Sequence, residues 1–300
     1  MRWHMRPSKT DEMKKNKPIF AACLILSATI LTGPVFALPA AGIKLVPHRA
    51  IYDLRLRSAE ASANVTDLKG RLVLDFKGST CAGYTYTSRL VTQMTDQDGG
   101  SFMTDMRTST WEDAKGEEFR FENTEINGFQ QTNVTAGSAS RKDKGSKIAV
   151  NFETPKSESL EFNRHAMFPT QHSIAILEAA QDGKQLVQAD VYDGSEEGQK
   201  LYSTTTFIGR PLKPESGKKA VTNLENAARL NTLTSWPISI SFYEAGKPGK
   251  QDDGLPTYEL AFRLFSNGVS GDLTINYGDF LIGGKLTRID FTGASECPGE

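Results

Sequence analysis

Polar and apolar positions alternate with a period of two over most of this chain. Ala50, Tyr52, Leu54 and Leu56 interleave with Asp53, Arg55 and Arg57, and Leu72, Leu74 and Phe76 interleave with Arg71, Asp75 and Lys77. Successive side chains of a strand point to opposite faces, so each set predicts a strand with one buried face and one wet face. From Gly83 to Met94 the pattern puts Tyr84, Tyr86, Leu90 and Met94 on one side and Thr85, Thr87, Arg89 and Gln93 on the other. Further strands are expected at 102–111, 118–123, 128–135, 147–152, 160–162, 186–192, 201–208, 237–244, 257–265, 271–277 and 285–291. Asp98-Gly99-Gly100, Asn127-Gly128, Asp193-Gly194, Asp253-Gly254 and Asn267-Gly268 supply residues that tolerate the positive φ of tight turns. A dozen or more short strands so spaced predict an antiparallel all-β protein.

One segment breaks the period. Phe168-Pro169-Thr170 leads into Gln171 to Asp182 and stops at Gly183, a proline start and glycine stop around helix formers. Ile174, Leu177 and Ala180 fall near one face, so this helix must pack on a sheet or plug a barrel. A weaker helix is expected at Thr222 to Leu230, where Leu224, Ala227 and Ala228 cluster. The stretches 209–219 and 245–256 read as surface loops rather than linkers, so residues 38–300 are expected to form a single domain.

Composition narrows the class. At 38% hydrophobic and 24% charged residues with 3 Cys, the 300-residue chain is neither disordered nor a disulfide-dense miniprotein, and its net charge of −1 excludes a strongly basic nucleic-acid binder. The basic Lys14-Lys15-Asn16-Lys17, the apolar run from Ile19 to Leu31 and the stretch Gly33 to Ala37 read as a secretory signal peptide, residues 1–37, cut after Ala37. The apolar run of about 13 residues falls short of the roughly 20 needed to span a bilayer. Met13 would open a conventional signal, so the start lies at Met1, Met5 or Met13, and Cys23 is discarded with the signal. Cleavage removes six of 35 basic and two of 36 acidic residues, which leaves a net charge of −5. No second apolar stretch approaches spanning length, so no integral membrane segment is expected after cleavage.

Two cysteines then remain, Cys81 and Cys297. In an oxidising compartment one disulfide is the simplest reading, with two free thiols as the alternative. Motifs for chemistry are lacking. His48, His165 and His172 lack metal-ligand spacing, and Gly268-Val269-Ser270-Gly271 is offset from a nucleophile elbow. Asp252-Asp253 and Glu196-Glu197 read as solvated turn charges, and no glycine-rich phosphate loop leads from a strand into a helix. No metal, cofactor or enzymatic activity is therefore expected. The aromatic residues, Tyr52, Tyr84, Tyr86, Phe102, Trp111, Phe119, Phe121, Trp236, Phe242 and Tyr243, suit core packing. The other reading is an apolar groove or partner surface within an incompletely closed sheet, with Tyr84, Tyr86, Trp111, Ile174, Leu177 and Trp236 as candidate contacts.

Several stretches carry a resemblance: His48-Arg49-Ala50-Ile51-Tyr52-Asp53-Leu54, Phe168 to His172, Val191-Tyr192-Asp193-Gly194-Ser195, Ser235 to Tyr243, and the Cys81/Cys297 spacing. Over nearly the whole chain beyond the signal, the sequence resembles the EipB-type cell-envelope integrity proteins of diderm bacteria. The resemblance implies a periplasmic β-spiral, an overlapping and incompletely closed antiparallel barrel, with a disulfide matching Cys81 and Cys297. It further implies a non-enzymatic protein that supports envelope integrity and is linked with a periplasmic tetratricopeptide-repeat protein. Its likeness in shape to half-barrel lipoprotein carriers and envelope-stress sensors gives the alternative, a carrier or sensor of a lipid, acyl chain or lipoprotein. No catalytic residues come with it. The expected function is binding of a periplasmic partner protein, and an envelope hydrolase is the third option.

Overall fold

The alternating pattern becomes fourteen strands among the described residues of a computed structural model, which cover 42–128, 130–142, 147–214, 224, 226–245, 254–293 and 297. The first eight are β1 (His48–Ala59), β2 (Asp67–Ser79), β3 (Gly83–Thr95), β4 (Ser101–Glu112), β5 (Glu118–Asn127), β6 (Gln130–Lys142), β7 (Lys147–Thr154) and β8 (Glu158–Phe162). After the helix α1 (Pro169–Gln181) come β9 (Leu186–Val191), β10 (Tyr202–Ile208), β11 (Ser235–Glu244), β12 (Tyr258–Phe265), β13 (Ser270–Asn276) and β14 (Phe280–Phe291). The expected signal peptide lies outside the described residues, as do parts of the loops at 209–219 and 245–256.

All fourteen strands join one antiparallel sheet in the order β8-β7-β6-β5-β4-β3-β2-β1-β14-β13-β12-β11-β10-β9. Every neighbour is a neighbour in sequence except at the centre, where β1 pairs with β14 from His48 opposite Phe291 to Ala59 opposite Phe280. Hairpin pairing closes only short loops, whereas the β1–β14 ladder closes nearly the whole chain. The sheet does not close into a barrel. Its ends, β8 and β9, approach through one parallel bridge, Met167 to Val191, made by the segment between β8 and α1.

The β9 end rolls inside the β5–β7 end. Tyr192, Phe168 and Leu201 share a buried cluster with Phe119, Phe121, Ile148, Val150 and Phe152. The turn after β9 follows them inward, held by an Asn123 Nδ2–H donated to the Gly194 carbonyl at 2.8 Å. Gly194 sits at φ +71°, and a Cβ there would meet Phe121 Cγ at 2.6 Å, so glycine is needed both for the turn and for the close approach. A second cluster joins β1 and β14 through Ala50, Tyr52, Leu54, Leu286 and Ile289. The third seats α1 on β10–β12, with Ile176, Leu177 and Ala180 against Tyr202, Trp236, Ile238, Ile240 and Phe242. The expectation of an all-β, incompletely closed structure with an apolar helix packed on the sheet agrees with this arrangement.

Some boundaries differ from the sequence pattern. The expected helix from Thr222 is a 3-10 turn, Ala227–Thr232, entered through Asn226 in the left-handed region at φ 64°, and residues 222, 223 and 225 lie outside the described set. β14 begins at Phe280 rather than 285, because Gly283 and Gly284 break the apolar alternation without breaking the strand. A Cβ on Gly284 would meet Leu273 Cδ1 at 2.7 Å and Leu54 Cδ2 at 2.8 Å, so the residue that hides the strand in sequence lets its neighbours pack. Gly128, at φ +66°, belongs to the turn before β6 rather than to the strand.

Candidate functional site

The concave face of the sheet carries both the polar seam that holds α1 and an apolar row left partly open. The seam begins on β4. Phe168, which precedes α1, offers no side-chain cap, and Pro169 opens the helix. The missing acceptor comes from the sheet: Glu112, at the end of β4, accepts the Thr170 N–H at 2.7 Å and the Gln171 N–H at 3.0 Å. These are helix N–H groups with no partner inside the helix, and a carboxylate suits the positive end of its dipole. Burial nevertheless pushes the Glu112 carboxyl up to about 7, against the opposing pull of those hydrogen bonds and of the Arg141 charge. Arg141 lies over the Phe168 ring at 5.4 Å, and burial lowers its pKa.

One residue further along α1, His172 is buried with Nε2 3.3 Å from Thr204 Oγ1. The Thr204 hydroxyl donates to the Ala189 carbonyl at 2.8 Å, so it is placed to accept from the ring. Burial pulls the His172 pKa down to about 4. His48 is also buried, bonded through Nδ1 to the Val46 carbonyl at 2.7 Å, and heads an aromatic series in which Phe76 stacks on Tyr84. Glu112, His48 and His172 are engaged by backbone or hydroxyl partners, whereas Arg141 meets the Phe168 ring and its buried Nε has no hydrogen-bond partner among the described residues. Among the described residues, no group of three or more His, Cys, Asp or Glu is placed to hold a metal ion.

The sequence-derived candidates occupy separate places. Ile174, Leu177 and Trp236 meet in the α1 cluster, where Leu177 and Trp236 are buried and Ile174 is half-buried. Tyr84 and Tyr86 lie together on the concave side of β3. Trp111 is paired across β3 with Thr85 and therefore faces the other way, with the Arg120 guanidinium 5.0 Å over its ring. The six residues thus do not line one surface.

Two apolar groups lie outside the six candidate contacts. On the concave face, Phe102 stands opposite Met94 and Met106 opposite Leu90, and Phe102 and Met106 remain 50% and 47% exposed. The alternating Phe and Met of β4 carried a signal, but only the strand register places them beside the two apolar residues of β3. On the convex face, Leu186 of β9 stands opposite Phe207 of β10, 48% and 58% exposed. Cys81, in the turn between β2 and β3, is bonded to Cys297 beyond β14, with their Cα atoms 5.8 Å apart. No helix among the described residues is long and apolar enough to cross a membrane.

With the geometry in place, comparison with known proteins identifies relatives. The chain is 34% identical over 252 residues to the cell envelope integrity protein EipB of Brucella abortus, a match covering 84% of this chain and 86% of that protein. It is also similar to the crystal structure of a beta-barrel-like protein of domain of unknown function DUF1849 from Brucella abortus. That match has a TM-score of 0.75 and 32% identity, and covers 84% of this chain and 100% of the other. The EipB-like family model matches residues 39–292, the whole sheet and α1 together, and the chain belongs to the EipB-like family.

Proposed function

We propose that this protein supports the integrity of the cell envelope without catalysing a reaction, by binding a partner protein in the periplasm. The relative at 34% identity is named for envelope integrity, and the export signature at residues 1–37 and the Cys81–Cys297 bond suit an oxidising compartment outside the cytoplasm. The observation that carries the binding reading is the Leu186–Phe207 pair: two large apolar side chains, half-exposed side by side at the end of an unclosed sheet. Grouped exposed apolar residues mark interaction surfaces where single ones do not. Deleting the gene should sensitise cells to detergents and envelope-directed antibiotics, and the wild-type chain should restore resistance while enriching one specific partner from periplasm. A deletion without an envelope phenotype, or a wild-type chain that enriches nothing over a control, would refute this reading.

A second reading rests on a different observation. The concave row of Leu90, Met94, Phe102 and Met106 offers an apolar surface to an acyl chain. Native mass spectrometry of gently purified protein would then show a lipid adduct that Met106→Lys removes. Reproducibly empty protein excludes the carrier.

A further inference from the structure

The two ends of the sheet differ in how they are guarded. On β8, Glu161 pairs with Lys142 at 3.5 Å and Glu158 pairs with Lys156 at 2.9 Å. Charges placed this way discourage the addition of a further strand. The N-terminal half of β9, Leu186 to Gln188, carries no charged residue, and the nearest ion pair, Lys184 with Asp182 at 3.1 Å, lies before the strand. Gln185 accepts the Ile208 N–H across the β9–β10 ladder, so by antiparallel alternation the main-chain groups of Val187 and Ala189 face β10. Those of Leu186, Gln188 and Asp190 therefore point away from the sheet. The far end of this edge is already used: Met167 N–H donates to the Asp190 carbonyl at 2.8 Å, and Tyr192 N–H donates to the Met167 carbonyl at 3.0 Å. The outward groups of Leu186 and Gln188 have no main-chain partner among the described residues.

Two features flank this open stretch. The Leu186–Phe207 pair lies on its convex side. Next to it is a cavity of about 460 Å³ at the overlap of the spiral, lined by His165 and Met167 on one side and by Gln188, Asp190, Ser203 and Thr205 on the other. Within it Asp190 is already neutralised by Arg164 at 2.6 Å and bonded by Ser203, so the wall presents mainly neutral hydrogen-bonding groups.

We propose that the open half of β9 is a docking edge for a short extended segment of a partner protein. The segment adds as a strand along Leu186–Gln188, lays an apolar side chain over Leu186 and Phe207, and places a polar residue in the cavity. This inference rests on the partner-binding reading and assigns it a surface. A row of outward N–H and C=O groups is matched by another extended backbone, the mode of recognition called β-augmentation. Met167 shows that the same edge accepts an added strand residue in parallel. A second copy of the chain fits poorly, because a β9–β9 pairing would meet only over the open residues, whereas stable dimers bury roughly 1,200–2,000 Å².

Fluorescence anisotropy tests this with the full chain purified from periplasm and a labelled heptapeptide of alternating valine and threonine. The same peptide N-methylated at alternate residues serves as the second probe. The parent peptide should bind, and the methylated one should bind about tenfold more weakly or worse. Gln188→Pro removes an outward N–H that the β9–β10 ladder does not use, and Leu186→Lys guards the edge with a charge. Each should weaken binding by about tenfold, with circular dichroism unchanged, while Ser109→Lys on β4 should have no effect. Absence of binding, equal binding of the methylated peptide, or indifference to both edge variants would overturn the proposal. So would a dimer in light scattering that Leu186→Lys dissolves, since the edge would then belong to a second copy. Partner capture untouched by the edge variants would preserve the partner reading and remove this edge; peptide binding without any captured partner would do the reverse.

Discussion

Arg89 and Arg107 stand directly opposite each other on β3 and β4, an arrangement that like charges alone would make unfavourable. Asp105 resolves it. Its carboxylate accepts Nε and Nη2 of both guanidinium groups, at 3.0 and 2.7 Å from Arg89 and at 3.3 and 2.8 Å from Arg107. Hydrogen bonds from Arg89 and then Arg107 hold the Asp105 carboxyl down to about 2. A depressed acid contributes stability that is present above its unfolded value near 4 and lost as pH falls through about 2. Asp105→Asn should therefore cost about 1–2 kcal/mol at neutral pH, after allowance for the solvent exposure of both arginines, and Arg107→Gln in the same chain should recover part of it. Urea midpoints measure both; an unaltered midpoint in Asp105→Asn would show that water already screens the arginines. From the sequence, Arg89 is legible as a wet-face residue of a strand. That it shares one carboxylate with Arg107 is a matter of register, which alternation within each strand does not specify.

The helix and the strand end that holds it carry titrations of opposite sign. Glu112 has its pKa raised by burial, so the native state keeps a proton that the unfolded chain releases, and stability falls as pH rises from about 4 to about 7. His172 is buried neutral with its pKa lowered, so its contribution is present above about 6.5 and lost as pH falls toward about 4. Across the shared window the two slopes oppose each other, each on the order of 1 kcal/mol per pH unit. The wild-type urea midpoint should consequently vary little between pH 4.5 and 6.5. Glu112→Gln should leave stability that rises with pH, and His172→Gln should leave stability that falls. A variant whose profile runs parallel to the wild type would remove its residue from this account. At this scale the sequence is most informative: the proline start, glycine stop and apolar face of α1 are local signals, as are the alternating strands and the turn glycines. Its cap was illegible, because Glu112 lies on β4 and only the folded sheet brings it to Thr170. The first half of β14 was illegible for a different reason, since its glycines carry no apolar signal and matter only through what packs against them.

At the scale of the molecule, the sheet is two runs of sequence neighbours, β1 to β8 and β9 to β14, joined along one ladder. The long, local hairpins of each run follow from alternation and turn chemistry. The β1–β14 joint does not, because it pairs the two ends of the domain and no spacing within either end announces it. The Cys81–Cys297 bond sits beside that joint, tying the chain just past β14 to the turn between β2 and β3 across 216 positions. A cross-link acts chiefly by restricting the unfolded chain, and for a loop this long the entropy model sets an upper bound of about 5 kcal/mol. Replacing both cysteines by serine should therefore lower stability by about 2–4 kcal/mol, measured as a reduced urea midpoint. Where the loss appears distinguishes a local tether from a global one. If the bond guards the joint, hydrogen exchange in the double variant should rise first in β1 and β14, before α1, most of whose apolar packing is on β10–β12. Equal loss of protection across both runs would mean that the bond acts on the unfolded chain alone. Free thiols in the unfolded, unreduced wild-type protein would mean that the bond does not form.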